Sequence, residues 1–421
     1  MCVLVRFTGQ AAMDTWGFFL PALARPTAKS RPKHKPKPVK KIARITKAPA
    51  AAAVKPRQAA KRLEGAARKQ DAGGKAFRLA TVCSGMECPA MALEALGANF
   101  ASAACCEANV ACQNIIQQNF KTDALFEDVC DVNLKGKFPD HDVLVAGPPC
   151  QPFSKAGAGR GMDDDRSGPF VSTLELIQAK APKAYLLENV LGLRGGKHKN
   201  FFRLIIKSLK LMEAKGKKYK VFFRTLNTID FQVPQSRPRV FIVGLREDVV
   251  TSGFVWPVPS KTPAANLAQF LDPKTLAENH KRRPKASQTT ACKNVSKAIA
   301  VIKAAGLDPA KDEHIADVDS TNVQIRRNAC PCLTASRMRC GGHWVVSRGR
   351  RLKLSEAMRL QGIKPERIAF KGVVSRAQIG GMVGNGMSVN VLQAVLARMS
   401  HAAPKAFNGQ IFRDKWSATL N

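Results

Sequence analysis

The chain has 421 residues, enough for two or three domains, and its apolar patch Trp16-Gly17-Phe18-Phe19-Leu20 is cut by Pro21 and too short to span a bilayer. Its 68 Lys and Arg against 31 Asp and Glu give a formal charge of +37, which calls for a polyanionic partner because self-repulsion on that scale is otherwise a cost without a return. Twelve cysteines without a framework of paired spacings exclude a disulfide-stapled secreted scaffold and indicate free thiols in a reducing compartment.

Residues 1–75 form a basic tail. Between Lys29 and Lys75 sixteen Lys and Arg face only Glu64 and Asp71, and large apolar side chains are scarce, so the tail is expected to be disordered. The run from Ser30 to Lys41 reads as a nuclear-import signal, a nucleic-acid tether or a solvated linker, and a nuclear location is expected; an organellar presequence is the alternative, since Asp14 is the only acid before Glu64. Charge is not confined to the tail, because the body beyond it is strongly basic as well.

From Arg78 the pattern changes. Residues 79–83 read as a strand, followed by a turn at Ser84-Gly85 and a helix over 89–96 that Gly97 stops. A second strand over 100–106 ends at Glu107, a helix follows over 108–119, and a third short strand ends at Asp128-Val129. The fourth, 143–146, is β-branched and apolar, as a buried parallel strand is. A strand at 184–188, a helix within 200–215 and strands within 219–226 and at 239–243 continue the series. This alternation predicts an α/β fold with a doubly wound parallel sheet. Residues 272–328 are basic, rich in Ala, Thr, Ser and Asn, and without clear period, which suits a small inserted domain. Helical patterns return at 354–361 and 389–399. The expected organisation is a tail (1–75), a catalytic domain in two parts (76–271 and 336–400), a small insert (272–335) and a C-terminal tail (401–421).

The most informative segment is Gly147-Pro148-Pro149-Cys150-Gln151-Pro152-Phe153-Ser154. Its prolines stop the fourth strand and stiffen a loop that presents one thiol, Cys150, at a strand's carboxyl end, where ligands of open α/β sheets bind. An isolated cysteine is more often a small buried hydrophobe, so Cys150 needs companions to be read as a nucleophile. A nucleotide-type site needs a glycine turn after the first strand and an acid after the second. Here these are Ser84-Gly85-Met86 and Glu107, 22 residues beyond Gly85, with Asp128 after the third strand. No G-x-G-x-x-G is present, which disfavours a dinucleotide.

Further segments carry a specific resemblance. Leu187-Glu188-Asn189-Val190, Gln235-Ser236-Arg237-Pro238-Arg239, the stretch from Arg351-Leu352 to Gly362, and Gly384-Asn385-Gly386-Met387-Ser388 follow the Cys150 loop in order. Together they resemble the ordered elements of the cytosine-C5 DNA methyltransferases, over roughly residues 78–399. The resemblance implies a Rossmann-like methyltransferase sheet with a target-recognition insert. It implies Cys150 as nucleophile on cytosine carbon 6, Glu188 at ring nitrogen 3 and the exocyclic amine, and Arg237 and Arg239 orienting base and phosphates. It implies S-adenosylmethionine as methyl donor, held by Cys83, Ser84, Gly85, Met86, Glu107, Asp128, Val129, Gly147, Asn385 and Ser388. The implied partner is duplex DNA with a flipped cytosine, and a monomer is expected.

Two places depart from the family pattern. Cys83-Ser84-Gly85-Met86-Glu87-Cys88 stands where the family has Phe-Ala-Gly-x-Gly-Gly, losing an aromatic and two glycines, and Gly386-Met387-Ser388 replaces Ala-Val-Pro. The tRNA-methylating branch resembles this chain less, since it ends the cysteine loop in Thr rather than Ser154 and carries a Cys-Phe-Thr tripeptide absent here. A non-catalytic nucleic-acid-binding relative is the further alternative. Cys330, Cys332, Cys340 and His343 lack the spacing of a zinc site, and no metal is expected.

Overall fold

The computed structural model describes residues 75–131, 133–149, 168–259 and 265–416. The basic tail up to residue 74, Cys150 with the rest of its loop, and the last five residues lie outside the described residues.

Chain order begins with β1 (Phe77–Val82), α1 (Cys88–Ala95), β2 (Phe100–Cys106), α2 (Val110–Asn119) and the two-residue β3 (Leu125–Phe126). Next come α3 (Leu134–Lys137), β4 (Val143–Ala146), α4 (Gly168–Lys180), β5 (Ala184–Val190), α5 (Lys199–Leu211), β6 (Glu213–Ala214), β7 (Lys217–Asn227) and β8 (Pro238–Arg246). These strands make one eight-stranded sheet in the order β3-β2-β1-β4-β5-β8-β7-β6. From β3 to β5 all neighbours are parallel, and from β5 onward they are antiparallel. All four residues of β4 are buried, because a parallel strand covered on both faces can use an unbroken apolar run. The third strand stops at Phe126, so Asp128 and Val129 lie in the loop beyond it rather than at its end as expected. Two residues are enough to pair with Cys105 and Cys106 before Asp128 turns the chain by accepting from the Cys130 amide.

The second half adds α6 (Thr289–Ala304), β9 (His314–Asp317), β10 (Gln324–Arg327), α7 (Ala335–Arg339), β11 (Trp344–Val345), β12 (Arg350–Arg351), α8 (Leu354–Leu360), α9 (Arg376–Asn385) and α10 (Val389–Ala402). Helix α10 is buried at every position but His401 and closes the main core together with α1. The four late strands form a separate antiparallel sheet, β10-β9-β11-β12. Its strands run on to Arg351, beyond the expected boundary at 335, and it owns a small apolar cluster with the Ala291, Val295, Ala298, Ile299 and Ile302 face of α6.

Buried ions tie this second sheet to the rest of the fold. Glu356, wholly buried on α8, accepts from Arg350 at 2.7 and 2.8 Å and from the Asp272 and Lys353 amides at 2.9 and 2.8 Å. Arg350 reaches Glu278 at 2.6 Å as well, and Arg348 turns to Glu313 and the Asp272 carbonyl. Burial alone would raise the Glu356 pKa. The Arg350 guanidinium and the two amides outweigh it and hold the carboxyl below its ordinary 4.5. A depressed carboxylate contributes stability that is complete above its unfolded pKa and lost as pH falls below about 4.5. Glu356→Gln should therefore cost about 3 kcal/mol at neutral pH, since it leaves Arg350 short of a buried partner. In urea titrations its stability should fall less steeply than wild type as the pH drops into the acid range.

Candidate active site

The site assembles along the carboxyl edge of the parallel strands. Beyond β4 the Gly147 amide donates to the Val82 carbonyl at 3.0 Å, and the next carbonyl, of Pro148, accepts from Asn189 Nδ2 on β5 at 3.2 Å. The entry to the Cys150 loop is thus pinned to both neighbouring strands. A Cβ at Gly147 would stand 2.6 Å from the tip of Met387 at Cε and 3.2 Å from the Cys83 carbonyl, so any side chain there would have to displace the methionine. The β1 turn, the end of β4 and the Gly384–Ser388 element therefore converge at one point.

Beside it stand Glu188 on β5 and Arg239 on β8, where antiparallel pairing sets Val190 opposite Arg239. Arg239 Nε lies 3.2 Å from Glu188 Oε1, with both side chains mostly covered. Arg239 also places Nη2 3.9 Å from the Cys332 thiol. Arg237, two residues earlier, reaches the same sulfur with Nη1 at 3.6 Å, so both guanidinium groups flank it. Burial would raise the Cys332 pKa, but the two arginines overcome it and bring the thiol below its ordinary 9.0. By spacing this cysteine does not suit a zinc site, and the sequence assigns it no other role in the chemistry. Nothing local in Pro331-Cys332-Leu333 shows that two arginines some 95 residues upstream will meet it.

Arg237 is only 2% exposed. It donates to the carbonyls of Leu333 at 2.8 Å, Gly384 at 3.2 Å and Gly386 at 2.8 Å, while its own amide donates to Asn227 Oδ1. The side chain expected to face base and phosphates is thus committed to main-chain carbonyls of two distant segments. Gln235 extends the same junction, donating to the Leu360 carbonyl and Gln361 Oε1 and accepting from the Leu333 amide. Gln361 in turn donates to Val383 and Gly386.

The β1 turn forms the other half of the site. Gly85, at φ +65°, has open space where a side chain would be, and its amide donates to Glu107 Oε2 at 3.0 Å. Glu107 Oε1 accepts from the Asn109 amide at 3.0 Å, so the half-buried carboxylate is aimed by two main-chain groups. Cys83, also in the left-handed region at φ +52°, donates its amide to the Cys106 carbonyl. Burial pushes its thiol well up, and Glu107, Cys106, Cys130 and Asp128 push it further, so this end of the site is lined by thiols and acids. Asp128 is exposed while Val129 turns inward. Ser84 is buried.

Several expected ligand-binding residues turn away from the edge. Met86 is wholly buried in the main core, so only its backbone faces the turn. The Ser388 hydroxyl is spent on Thr228 Oγ1 at 2.5 Å and Gln361 at 3.4 Å, whereas Asn385 at the end of α9 stays exposed. Glu87, which in the sequence is legible only as a lost glycine, is buried beneath the turn. Its φ of +63° costs about 1–2 kcal/mol for a residue with a Cβ. Hydrogen bonds to a buried carboxylate, each about 1.5–3 kcal/mol, are large enough to offset that cost.

Arg237→Lys keeps the charge, yet one ammonium cannot span the Leu333 and Gly386 carbonyls. A stability loss of about 3 kcal/mol in chemical denaturation is expected, as for an unmade buried charged hydrogen-bond set.

The C-5 cytosine-specific DNA methylase family model matches residues 77–401. Among characterised relatives, the type II methyltransferase M.NgoBI of Neisseria gonorrhoeae is 34% identical over 259 residues, covering 61% of this chain and 73% of the relative. M.HaeII of Haemophilus aegyptius, also a type II methyltransferase, is 32% identical over 294 residues, covering 68% and 82%. The fold is shared with a putative DNA modification methyltransferase encoded within an E. coli prophage, at TM-score 0.56 and 19% identity over 78% of this chain and 99% of that one. It is shared too with the S. pombe Dnmt2 methyltransferase, at TM-score 0.53 and 16% identity over 77% and 98%. With the pinned entry to its cysteine loop, its Glu188–Arg239 pair and a family match over nearly all of the described fold, the chain belongs to the C-5 cytosine-specific DNA methylases.

Proposed function

We propose that this protein transfers a methyl group from S-adenosylmethionine to carbon 5 of a cytosine swung out of duplex DNA. The observation that carries this reading is the Glu188–Arg239 ion pair, 3.2 Å apart, beside the pinned start of the Cys150 loop. An acid and a guanidinium held together at a strand edge suit a ring with an amine, a ring nitrogen and a carbonyl in a row.

The β1 turn fits the methyl donor. Glu107, aimed by two amides, suits ribose hydroxyls, and the space beyond Gly85 is open. Asp128 and Val129 would flank the base. The backbone of Cys83, Ser84, Gly85 and Met86, with Gly147 and Asn385, would hold the remainder, and Ser388 would act from behind through its hydroxyl network. When bound, the donor supplies a methyl group on a positively charged sulfur. The aromatic that the family places against the adenine is replaced by Cys83, so stacking is lost and Glu107 carries more of the recognition.

Carbon 5 of cytosine is a poor nucleophile until the ring loses its aromaticity. The Cys150 thiolate adds to carbon 6, forming a C–S bond and pushing electrons toward carbon 5. Glu188, hydrogen-bonded at ring nitrogen 3 and the amine, stabilises the charge that develops there, and Arg239 holds both Glu188 and the base carbonyl. After carbon 5 is substituted and its proton leaves to a base, the C–S bond breaks and Cys150 departs as thiolate. Carbons 5 and 6 are stacked inside a duplex, so the nucleotide must leave the stack first. Arg237 contributes from a distance by fixing the segment that carries Arg239.

Tritium transfer from labelled S-adenosylmethionine to duplex DNA should be abolished in Cys150→Ala and lowered by about 10²–10⁴-fold in Glu188→Gln, with DNA affinity retained. Label on tRNA alone would overturn the DNA reading. Retained DNA binding without label on either substrate would mark a non-catalytic relative.

A further inference from the structure

The β1 turn lacks two of the glycines that the family pattern places there. Glu87 occupies one of those two positions in a backbone conformation, φ +63°, that side-chain-bearing residues rarely adopt. Its carboxylate explains why. The side chain folds back under the turn, 1% exposed, and its Oε1 accepts from Thr81 Oγ1 at 2.7 Å and from Ser84 Oγ. Thr81 belongs to β1 and Ser84 to the turn, so one carboxylate straps the turn to the strand that precedes it. The Cys105 thiol of β2 faces the same group. On the outer side, the next residue after Ser84 donates its amide to Glu107 Oε2 at 3.0 Å. An unbroken chain of contacts runs from Glu87 through Ser84 and Gly85 to the carboxylate that the proposed function assigns to ribose.

We propose that Glu87 is the residue that shapes the methyl-donor turn in this protein, a positioning residue that acts through Ser84 and Gly85 on Glu107 and takes over the task of the missing glycines. The inference rests on the proposed binding of the donor at this turn. It differs from a role in the core because the contacts of Glu87 lead to the turn rather than to the apolar cluster around it. Burial pushes the carboxyl upward while the two hydroxyls pull it back, so an uncharged group of the same shape should serve nearly as well. A glycine at the same place would relieve the backbone but leave Thr81 and Ser84 without their shared acceptor.

The test is binding of S-adenosylhomocysteine to the full chain by calorimetry, with unliganded melting temperature and DNA affinity measured alongside. Wild type should bind. Glu87→Gln, which still accepts both hydroxyl bonds, should bind within about threefold of wild type, and Glu87→Gly should bind at least about tenfold more weakly with DNA affinity unchanged. Thr81→Val leaves the backbone at residue 87 untouched and removes one strap bond; weakening of about threefold or more is expected. Glu87→Gly or Thr81→Val binding as tightly as wild type, or Glu87→Gln failing as badly as Glu87→Gly, would overturn the assignment while leaving the donor site standing. Absence of binding by wild type would instead remove the donor-binding reading, and this assignment with it.

Discussion

A single buried guanidinium holds the carboxyl edge of the main sheet together, because Arg237 gathers carbonyls that no helix or strand can satisfy. The carbonyls of Gly384 and Gly386 lie at the end of α9 and just beyond it, and that of Leu333 lies where the chain returns from the second sheet. Helix ends leave such groups unpaired, and an unpaired buried carbonyl is expensive. Burial lowers the pKa of Arg237, yet a guanidinium stays charged across any accessible pH and supplies several fixed donors at once. Two segments far apart in sequence are thereby locked to the start of β8, and Arg239 is delivered beside Glu188.

Around that lock the fold divides its work by layer. The parallel half of the main sheet supplies strand ends over a mainly apolar interior, as the wholly buried β4 shows. The antiparallel half turns β8 so that its beginning, not its end, meets the carboxyl end of β5. An acid from one strand and a base from another then face each other without any loop between them. The second sheet is joined to this frame by Ile315 and Val345, which enter the main apolar core, and by buried ions beside them. Glu356, Arg350, Glu278 and Arg348 meet where apolar contact would slide, and buried charge pairs are directional in a way that apolar contact is not.

The alternation of strands and helices was readable in the first half of the chain because each buried strand is a short apolar run between turn residues. The later helices were harder for different reasons. Helix α6 does repeat its apolar residues at Ala291, Val295, Ala298 and Ile302, but Thr, Asn and Cys among them weaken the propensity, and no side chain caps its start. Helix α9 carries three glycines in Arg376–Asn385, which argues against a helix on propensity alone. They are there because α7 lies directly against it: a Cβ at Gly380 would stand 2.7 Å from the Met338 carbonyl, and one at Gly384 would stand 2.3 Å from the Thr334 backbone. Its start was signalled, since Ser375 and Gln378 form a reciprocal cap.

The sequence by itself determined the parallel half of the sheet, the family and a set of candidate residues, since strand runs and motif order are local and survive without coordinates, whereas the antiparallel turn of β8 and β7 came only with the tertiary structure. It did not decide which side chains face the site. Arg237 and Ser388 turn from expected ligand contacts into internal braces, Cys332 becomes the thiol between two arginines, and Glu87 becomes the strap beneath the β1 turn. Each of these depends on partners from other segments, and Arg237, Cys332 and Ser388 on ones dozens of residues or more away. A carbonyl or hydroxyl has no claim on a given donor until packing brings the two together, so only the tertiary structure could assign them.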